Sequence, residues 1–160
     1  MTAPDVLTAI DPPHVHLAVV KPGDDAAAAL LAAPRGFVAR SIDGRRCPTK
    51  AALLDALAHV FALPATVGRN WDATEEALAD LEWLPARGYV LIVTDADVLL
   101  EGAPEDYHIF VAMLEDVGRE WATPRTGEWP RAATPFHTCL VVAEGRETAR
   151  KDWGAPRLGR

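Results

Sequence analysis

The sequence predicts an α/β fold in which a small, mainly parallel β-sheet packs against helices. Two observations lead to this prediction. Short segments rich in β-branched residues alternate along the chain with segments whose apolar residues recur at helical spacing, and that alternation is typical of parallel sheets covered by helices. Residues 89–93 are apolar without interruption, as in strands buried on both faces of such a sheet.

The first predicted unit is a strand followed by a helix. Residues 14–20 are mostly apolar and β-branched, which favours a strand. Asp24 can then cap an alanine-rich helix, and Pro34 closes it. We therefore expect residues 1–36 to form an added N-terminal β-α unit.

The next elements follow the same alternation. Residues 37–42 predict a strand that ends in an Asp-Gly turn. Thr49 is a candidate N-cap for a helix whose leucines repeat at helical spacing, and Pro64 stops that helix. A further helix is expected from Asn70, as its N-cap, to about residue 84.

The second half of the chain completes the pattern. After the strand over residues 89–93, we expect a helix over 104–121 and a last strand over 136–143. Residues 144–160 form a polar, basic tail that we expect to be loosely held.

Composition indicates one globular domain. The chain has 160 residues, of which 49% are hydrophobic and 24% charged, so a packed core is expected. No apolar stretch is long enough to span a membrane and the N-terminus lacks a signal-peptide pattern, so we expect a cytoplasmic protein. Cys47 and Cys139 are far apart in sequence, and we expect reduced, partly buried thiols rather than a disulfide or a zinc site.

The negative charge is concentrated in the middle of the chain. Residues 69–120 contain thirteen acidic residues and three arginines, net −10, whereas residues 1–68 are neutral and 121–160 carry +3. Such a field repels nucleic acid and anionic lipid and attracts basic proteins. We therefore expect a protein partner and neither nucleic-acid nor membrane binding.

The predicted helix after Asn70 is amphipathic. At 100° per residue one side is largely apolar and the other carries three carboxylates. The first side consists of Trp71, Thr74, Leu78, Leu81 and Leu84, and the second of Asp72, Glu75, Glu76 and Ala79. A solvated face explains this pattern, but three like charges within one turn destabilise a helix. A function outside the fold would explain why they are present.

A family resemblance rests on three sequence runs. Ile42-Asp43-Gly44 precedes a leucine-bearing helix, and Leu63-Pro64-Ala65-Thr66-Val67-Gly68-Arg69-Asn70-Trp71-Asp72-Ala73 and Glu75-Glu76-Ala77-Leu78 follow it. These runs resemble the barstar family of ribonuclease inhibitors over about residues 37–143. The first 36 residues have no counterpart in the minimal family member.

The resemblance implies that the chain is an inhibitor, not an enzyme, and needs no cofactor. Family members bind a basic, secreted ribonuclease one-to-one and fill its phosphate-binding cleft with this helix and the loop before it. On that basis Asp72 would meet the edge of the cleft, Glu76 would replace substrate phosphate, and Glu115 would add an acidic contact. The remaining residues implied to touch the partner are Thr66, Val67, Gly68, Arg69, Asn70 and Glu75.

The chain also departs from the family pattern. The family usually has aromatic residues at Thr66, Val67 and near Glu75, Arg69 adds a positive charge, and Glu76 is longer than the usual aspartate. Interfaces gain much of their energy from aromatic anchors. An orphan barstar-like interaction domain, or a bacterial immunity protein against a different toxin, therefore remains an alternative.

Two other patterns suggest different chemistry. Asp95 and Asp97 follow a buried strand, as in phosphotransferases that use magnesium. Such enzymes need a longer chain after this motif, with a lysine and a further acidic pair, whereas only 63 residues follow Asp97 here and Lys151 is their sole lysine, so loop caps are favoured. His14 and His16 lie on one face of a strand, yet no third ligand stands at recognisable spacing. Surface or core histidines are the favoured interpretation.

Overall fold

The computed structural model describes residues 3–159. Four strands and five α-helices make up its regular structure, joined by turns and short 3-10 segments. In chain order they are α1 (Ala3–Thr8), β1 (Val15–Val20), α2 (Ala26–Leu31), β2 (Phe37–Asp43), α3 (Lys50–Val60), α4 (Trp71–Asp80), β3 (Gly88–Thr94), α5 (Tyr107–Ala122) and β4 (Phe136–Ala143).

The four strands form one sheet in the order β1-β4-β3-β2, and every neighbouring pair is parallel. β3 and β4 are therefore central, and all seven residues of β3 except the last are buried. This arrangement confirms the predicted α/β fold with a parallel sheet packed against helices. β1 lies at the edge beside β4, so the N-terminal segment extends the sheet.

The sheet separates two apolar cores. Alternate residues of β3 point to opposite faces, because successive side chains of a strand alternate. Leu91 and Val93 join the larger core with α3, α4 and α5, whereas Val90 and Ile92 join a smaller one with Leu7 of α1 and Leu30 of α2. The candidate helix α4 thus stands on the larger core.

Caps confirm the starts of two helices and correct a third. Thr49 and Asn70 accept hydrogen bonds from the backbone N–H groups of Ala52 and Ala73, as expected for N-caps. In α2, however, the cap is Asp25 and not Asp24, since Asp25 Oδ1 accepts from the Ala28 N–H.

The α4 helix ends at Asp80, four residues before the predicted end. Leu81 adopts a left-handed conformation with φ of 45° and is almost fully buried. The Trp121 indole donates to the Leu78 carbonyl at 2.8 Å, and Arg131 donates to the Ala79 carbonyl at 2.8 Å. Side chains distant in sequence therefore satisfy the carbonyls of the last turn.

The expectation of a loosely held C-terminal tail is wrong. Trp153 is buried, and Tyr107 donates a hydrogen bond to its carbonyl at 2.7 Å. The Leu17 N–H donates to the Pro156 carbonyl and the Leu158 N–H donates to the Leu17 carbonyl. The tail runs along the outer side of β1 and covers that sheet edge.

Two expectations about the whole chain can be compared with the structure. Cys47 and Cys139 are free and almost fully buried, more completely than expected, and burial raises the pKa of both thiols. Within residues 3–159, no helix has the length and apolar character needed to cross a membrane.

Candidate functional site

The candidate site is the exposed side of α4 and the loop that leads into it. Asn70 fixes the start of the helix through a 2.8 Å bond from the Ala73 N–H to its side-chain oxygen. A Cβ on Gly68 would come within 2.9 Å of the Asn70 amide nitrogen, so any other residue there would disturb the cap. Gly68 and Asn70 therefore shape the loop.

Three carboxylates form a line along α4. Asp72, Glu76 and Asp80 follow at four-residue spacing and are all exposed, so they lie on one side of the helix over about 12 Å. Among residues 3–159, no cationic group lies within ion-pair distance of any of them. We call these three residues the acidic stripe.

A groove of about 670 Å³ separates the acidic stripe from α5. Glu75 is half-buried there, and burial followed by the charges of Asp116 and Asp72 raises its pKa. Arg119 pairs with Asp116. The groove lining consists of Asp72, Glu75, Glu76, Ala79, Asp116, Val117, Arg119 and Glu120, so five of its eight side chains are carboxylic acids.

A second groove of about 370 Å³ lies on the other side of α4, against the loop. Thr66, Val67 and Gly68 line it together with Glu76. Glu76 therefore stands on the ridge between both grooves. The structure brings this carboxylate together with the loop residues that the family resemblance singled out.

Arg69 lies apart from the acidic stripe. Its Nε donates to Asp55 Oδ1 of α3 at 3.0 Å, and its Nη1 donates to the Val67 carbonyl. Both side chains of this pair are largely exposed. The extra positive charge of the loop is thus directed toward α3 and leaves the carboxylates of α4 unpaired.

Glu115 is directed toward β1 rather than toward the groove that the other predicted carboxylates line. Its Oε1 accepts from the backbone N–H groups of His14 at 2.9 Å and Val15 at 2.8 Å. The carboxylate therefore holds the start of β1. The acidic residues that α5 contributes to the groove beside α4 are its neighbour Asp116 and, one turn later, Glu120.

The carboxylates after β3 are engaged in ion pairs. Asp95 lies 3.3 Å from Arg45, and Asp97 accepts from Arg146 at 3.2 Å. The side chain of Asp95 makes no capping hydrogen bond, so the expected loop cap is not found there and both carboxylates pair with arginines instead. Within the described residues, no group of three or more histidine, cysteine, aspartate or glutamate side chains is placed to hold a metal ion.

The histidines near the N-terminus form a buried cluster. His14, His16 and His137 are each at most 3% exposed, and His16 Nε2 lies 2.9 Å from His137 Nδ1. Burial lowers the pKa of all three, that of His16 to about 3. His14 and His16 are therefore core histidines, which was one of the two interpretations favoured from the sequence.

Sequence reasoning missed two features near α4. Asp80 continues the line of Asp72 and Glu76, and the four-residue spacing alone could have revealed it. Trp129 is 82% exposed. Its place beside α4 depends on how the loop 122–135 folds, and no local pattern indicates that.

Comparison with known proteins agrees with this geometry. The family model described as Barstar (barnase inhibitor) matches residues 37–137, which include the candidate loop, α4 and α5. A search of curated proteins found no match.

Proposed function

Because the chain belongs to the barstar family of barnase inhibitors, we propose that it inhibits a ribonuclease by filling the enzyme's basic active-site cleft with the acidic side of α4. Inhibitors of this family act by binding and are not enzymes. The proposed partner is a basic, secreted ribonuclease or nuclease toxin, bound one-to-one in the bacterial cytoplasm before export. The inhibitory part is residues 37–143; residues 1–36 add α1, β1 and α2, a helix more than the predicted β-α unit, and residues 144–160 form a basic tail.

The observation that carries the proposal is the acidic stripe of Asp72, Glu76 and Asp80, which is exposed and has no ion-pair partner among residues 3–159. Carboxylates without internal partners can make charge-assisted hydrogen bonds to a cluster of Arg, Lys or His. In a nuclease, such a cluster binds substrate phosphate. The stripe would therefore compete with RNA for the same cations.

Glu76 takes the central position in this proposal. It stands on the ridge between the two grooves, so it can project furthest into a cleft. Asp72 lines the edge near the start of the helix, and Glu75 lies on the flank against α5. The loop residues Thr66 to Asn70 contact the rim, while Glu115 has no part in binding because its carboxylate holds β1.

An immunity protein against a differently shaped toxin is a second candidate. Thr66 and Glu75 stand where the family has aromatic residues, and Thr66 is exposed. Aromatic anchors dominate many interfaces. Their absence at these positions favours a partner whose cleft differs from that of the usual nuclease.

The test is RNA hydrolysis by a panel of microbial guanyl-specific ribonucleases, with and without the chain at micromolar concentration. We expect competitive inhibition of at least one of them. An association rate that falls steeply with added salt should accompany it, because the attraction is electrostatic. If no enzyme of the panel is slowed, the second candidate is preferred.

Variants of α4 separate binding from folding. Glu76→Ala and Asp72→Ala should each weaken the complex by ~2–5 kcal/mol, a range adopted from measurements that include the barnase–barstar pair itself. Glu75→Ala should change binding by only ~0–1 kcal/mol. Thermal melting should be unchanged or slightly higher, since exposed like charges repel. A Glu76→Ala chain that unfolds, or binds as tightly as the wild type, contradicts the proposed site.

A further inference from the structure

Trp129 is an exposed tryptophan presented on a loop that is tied down at its base. Its side chain is 82% exposed. Two backbone hydrogen bonds close the loop, from the Arg125 N–H to the Arg131 carbonyl at 2.8 Å and back from the Arg131 N–H at 3.0 Å. The Thr134 N–H also donates to the Trp121 carbonyl of α5. The indole of Trp129 is therefore held in an exposed position on a closed loop.

The loop is fixed to the end of α4. The Arg131 guanidinium lies over the Trp121 ring at 3.5 Å and donates to the Ala79 carbonyl at 2.8 Å. Arg125 pairs with Glu120 of α5 at 3.0 Å. Arg131 Nη1 and Arg125 Nη2 thus hold the loop, whereas Arg131 Nε and Nη2 are buried without a hydrogen-bond partner. The loop places Trp129 beside the last turn of α4.

The surface next to Trp129 continues the acidic stripe. A groove of about 340 Å³ contains Trp129, Asp80 and Glu82, and the loop arginines Arg125 and Arg131 also line it. The same two carboxylates line the groove that contains Glu76 and the loop residue Thr66. No cationic group of residues 3–159 lies within ion-pair distance of Asp80 or Glu82. One connected surface therefore joins the site of the proposed function to Trp129.

An exposed indole beside two unpaired carboxylates suits an arginine side chain. A guanidinium can lie on the aromatic face while its N–H groups donate to the carboxylates. The same stacking of a guanidinium on an aromatic ring occurs within this protein, in Arg131 over Trp121 and in Arg150 over Tyr107 at 3.7 Å. Charge complementarity selects a basic partner over a neutral one.

We infer that Trp129, with Asp80 and Glu82, forms a second contact that receives an arginine of the basic nuclease. This inference rests on the proposed function for the identity of the partner, but the arginine-binding property belongs to the chain itself. Trp129 would supply an aromatic anchor at the end of α4 in place of those missing at Thr66 and Glu75. It would determine which nucleases fit, since only those with an arginine at that distance from the cleft would gain the contact.

The first experiment tests arginine binding without a nuclease. Tetra-arginine amide is titrated at low salt into the ¹⁵N-labelled chain, and the indole N–H resonances of the five tryptophans are followed by NMR. The Trp129 resonance is assigned by its loss in Trp129→Ala. We expect it to shift, with the other four indoles as internal controls, and tetralysine amide to bind more weakly.

Trp129→Ala should weaken tetra-arginine binding by roughly 2- to 5-fold, the effect of one exposed cation–π contact. Leu31→Ala is the matched control, because Leu31 is also an exposed apolar residue, at 43%, but belongs to α2 on the opposite side of the sheet. An unshifted Trp129 resonance would overturn the inference. Equal affinity for tetralysine would do the same, as would equal affinity of Trp129→Ala for tetra-arginine.

The second experiment separates this inference from the proposed function. With a ribonuclease that the wild-type chain inhibits, Trp129→Ala should speed dissociation by on the order of 10-fold, whereas Leu31→Ala should not. If that complex dissociates at an unchanged rate, Trp129 is no contact, although inhibition by α4 stands. If no ribonuclease is inhibited but tetra-arginine binds at Trp129, the arginine site stands and the proposed function fails.

Discussion

The buried cluster of His14, His16 and His137 should make the folded state unstable in mild acid. His137 Nε2 lies 2.7 Å from the Ala9 carbonyl, so this nitrogen carries the proton that it donates. His137 Nδ1 must then accept from His16 Nε2, 2.9 Å away. The arrangement is satisfied only while His137 is neutral, because a second proton on its ring would place two N–H groups face to face.

The sign of the effect follows from the direction of the pKa shifts. Burial, and then the neighbouring rings of His137 and His14, lower the pKa of His16 from the ordinary 6.5 to about 3. Burial also lowers the pKa of His137, and of His14 despite the opposing charge of Glu115. In the unfolded chain these rings take up protons below pH 6.5, whereas the folded state excludes them. Stability is therefore fully present above pH 6.5 and lost as the pH falls toward 3.

The magnitude can be worked for His16. Each pH unit below 6.5 lowers the free energy of unfolding by about 1.4 kcal/mol per excluded proton. At pH 5 the loss from His16 alone is about 2 kcal/mol, and His137 and His14 add to it. A domain of this size has a total stability of only about 5–15 kcal/mol. We expect a large fall in the urea midpoint between pH 7 and pH 5.

The assay is urea unfolding at several pH values for the wild type, His16→Gln and His59→Gln. Glutamine at position 16 can still donate to His137 but does not titrate. The dependence of the free energy of unfolding on pH, between pH 5 and 6.5, should therefore become shallower by an amount equivalent to up to one bound proton. His59 is exposed on α3, and its replacement controls for the loss of a histidine outside the cluster. Identical slopes for the wild type and His16→Gln would refute the reasoning.

Two further predictions concern side chains that hold the N- and C-terminal segments. Glu115→Ala leaves the N–H groups of His14 and Val15 without their acceptor and should reduce the free energy of unfolding by ~1–3 kcal/mol per N–H. Glu115→Gln keeps an acceptor and should reduce it less. Chemical denaturation measures both variants, and equal losses of stability would exclude this role of Glu115. Trp153→Ala removes a buried side chain that donates to the Glu147 carbonyl, and should cost ~3–5 kcal/mol and make residues 151–159 exchange amide hydrogens faster. A variant that melts like the wild type would show that the packed tail contributes nothing.

Much of the fold could be predicted because it follows from local patterns. The uninterrupted apolar run of β3 identified a central strand, and the strands and helices alternated as parallel sheets require. Thr49 and Asn70 were recognised as caps because a short polar side chain before an apolar periodic segment has one favourable role. Asp24 and Asp25 are adjacent and chemically equal, so the sequence could not tell which of them caps α2.

The candidate site could be predicted only in part. The position of Asp72 and Glu76 on one side of α4 follows from the geometry of any helix. Whether Glu115 or Asp116 faces α4 depends on how α5 is rotated against its neighbours, and that rotation is set by the packing of residues such as Phe110 and Leu114 in the core. Adjacent residues on a helix point about 100° apart, so assigning the contact to the neighbouring position placed it on a different side of α5.

The sequence by itself determined the parallel α/β class, the caps of α3 and α4 and the acidic side of α4, because each depends on residues within a few positions of one another. The tertiary structure decided what depends on distant residues. Trp121 and Arg131 end α4 after Asp80, the carbonyl and N–H of Leu17 hold the C-terminal tail, and the closed loop places Trp129 beside Asp80. These features depend on hydrogen bonds and contacts between segments far apart in the chain. A local sequence pattern does not specify such partners, because they meet only in the folded sheet and its packed helices.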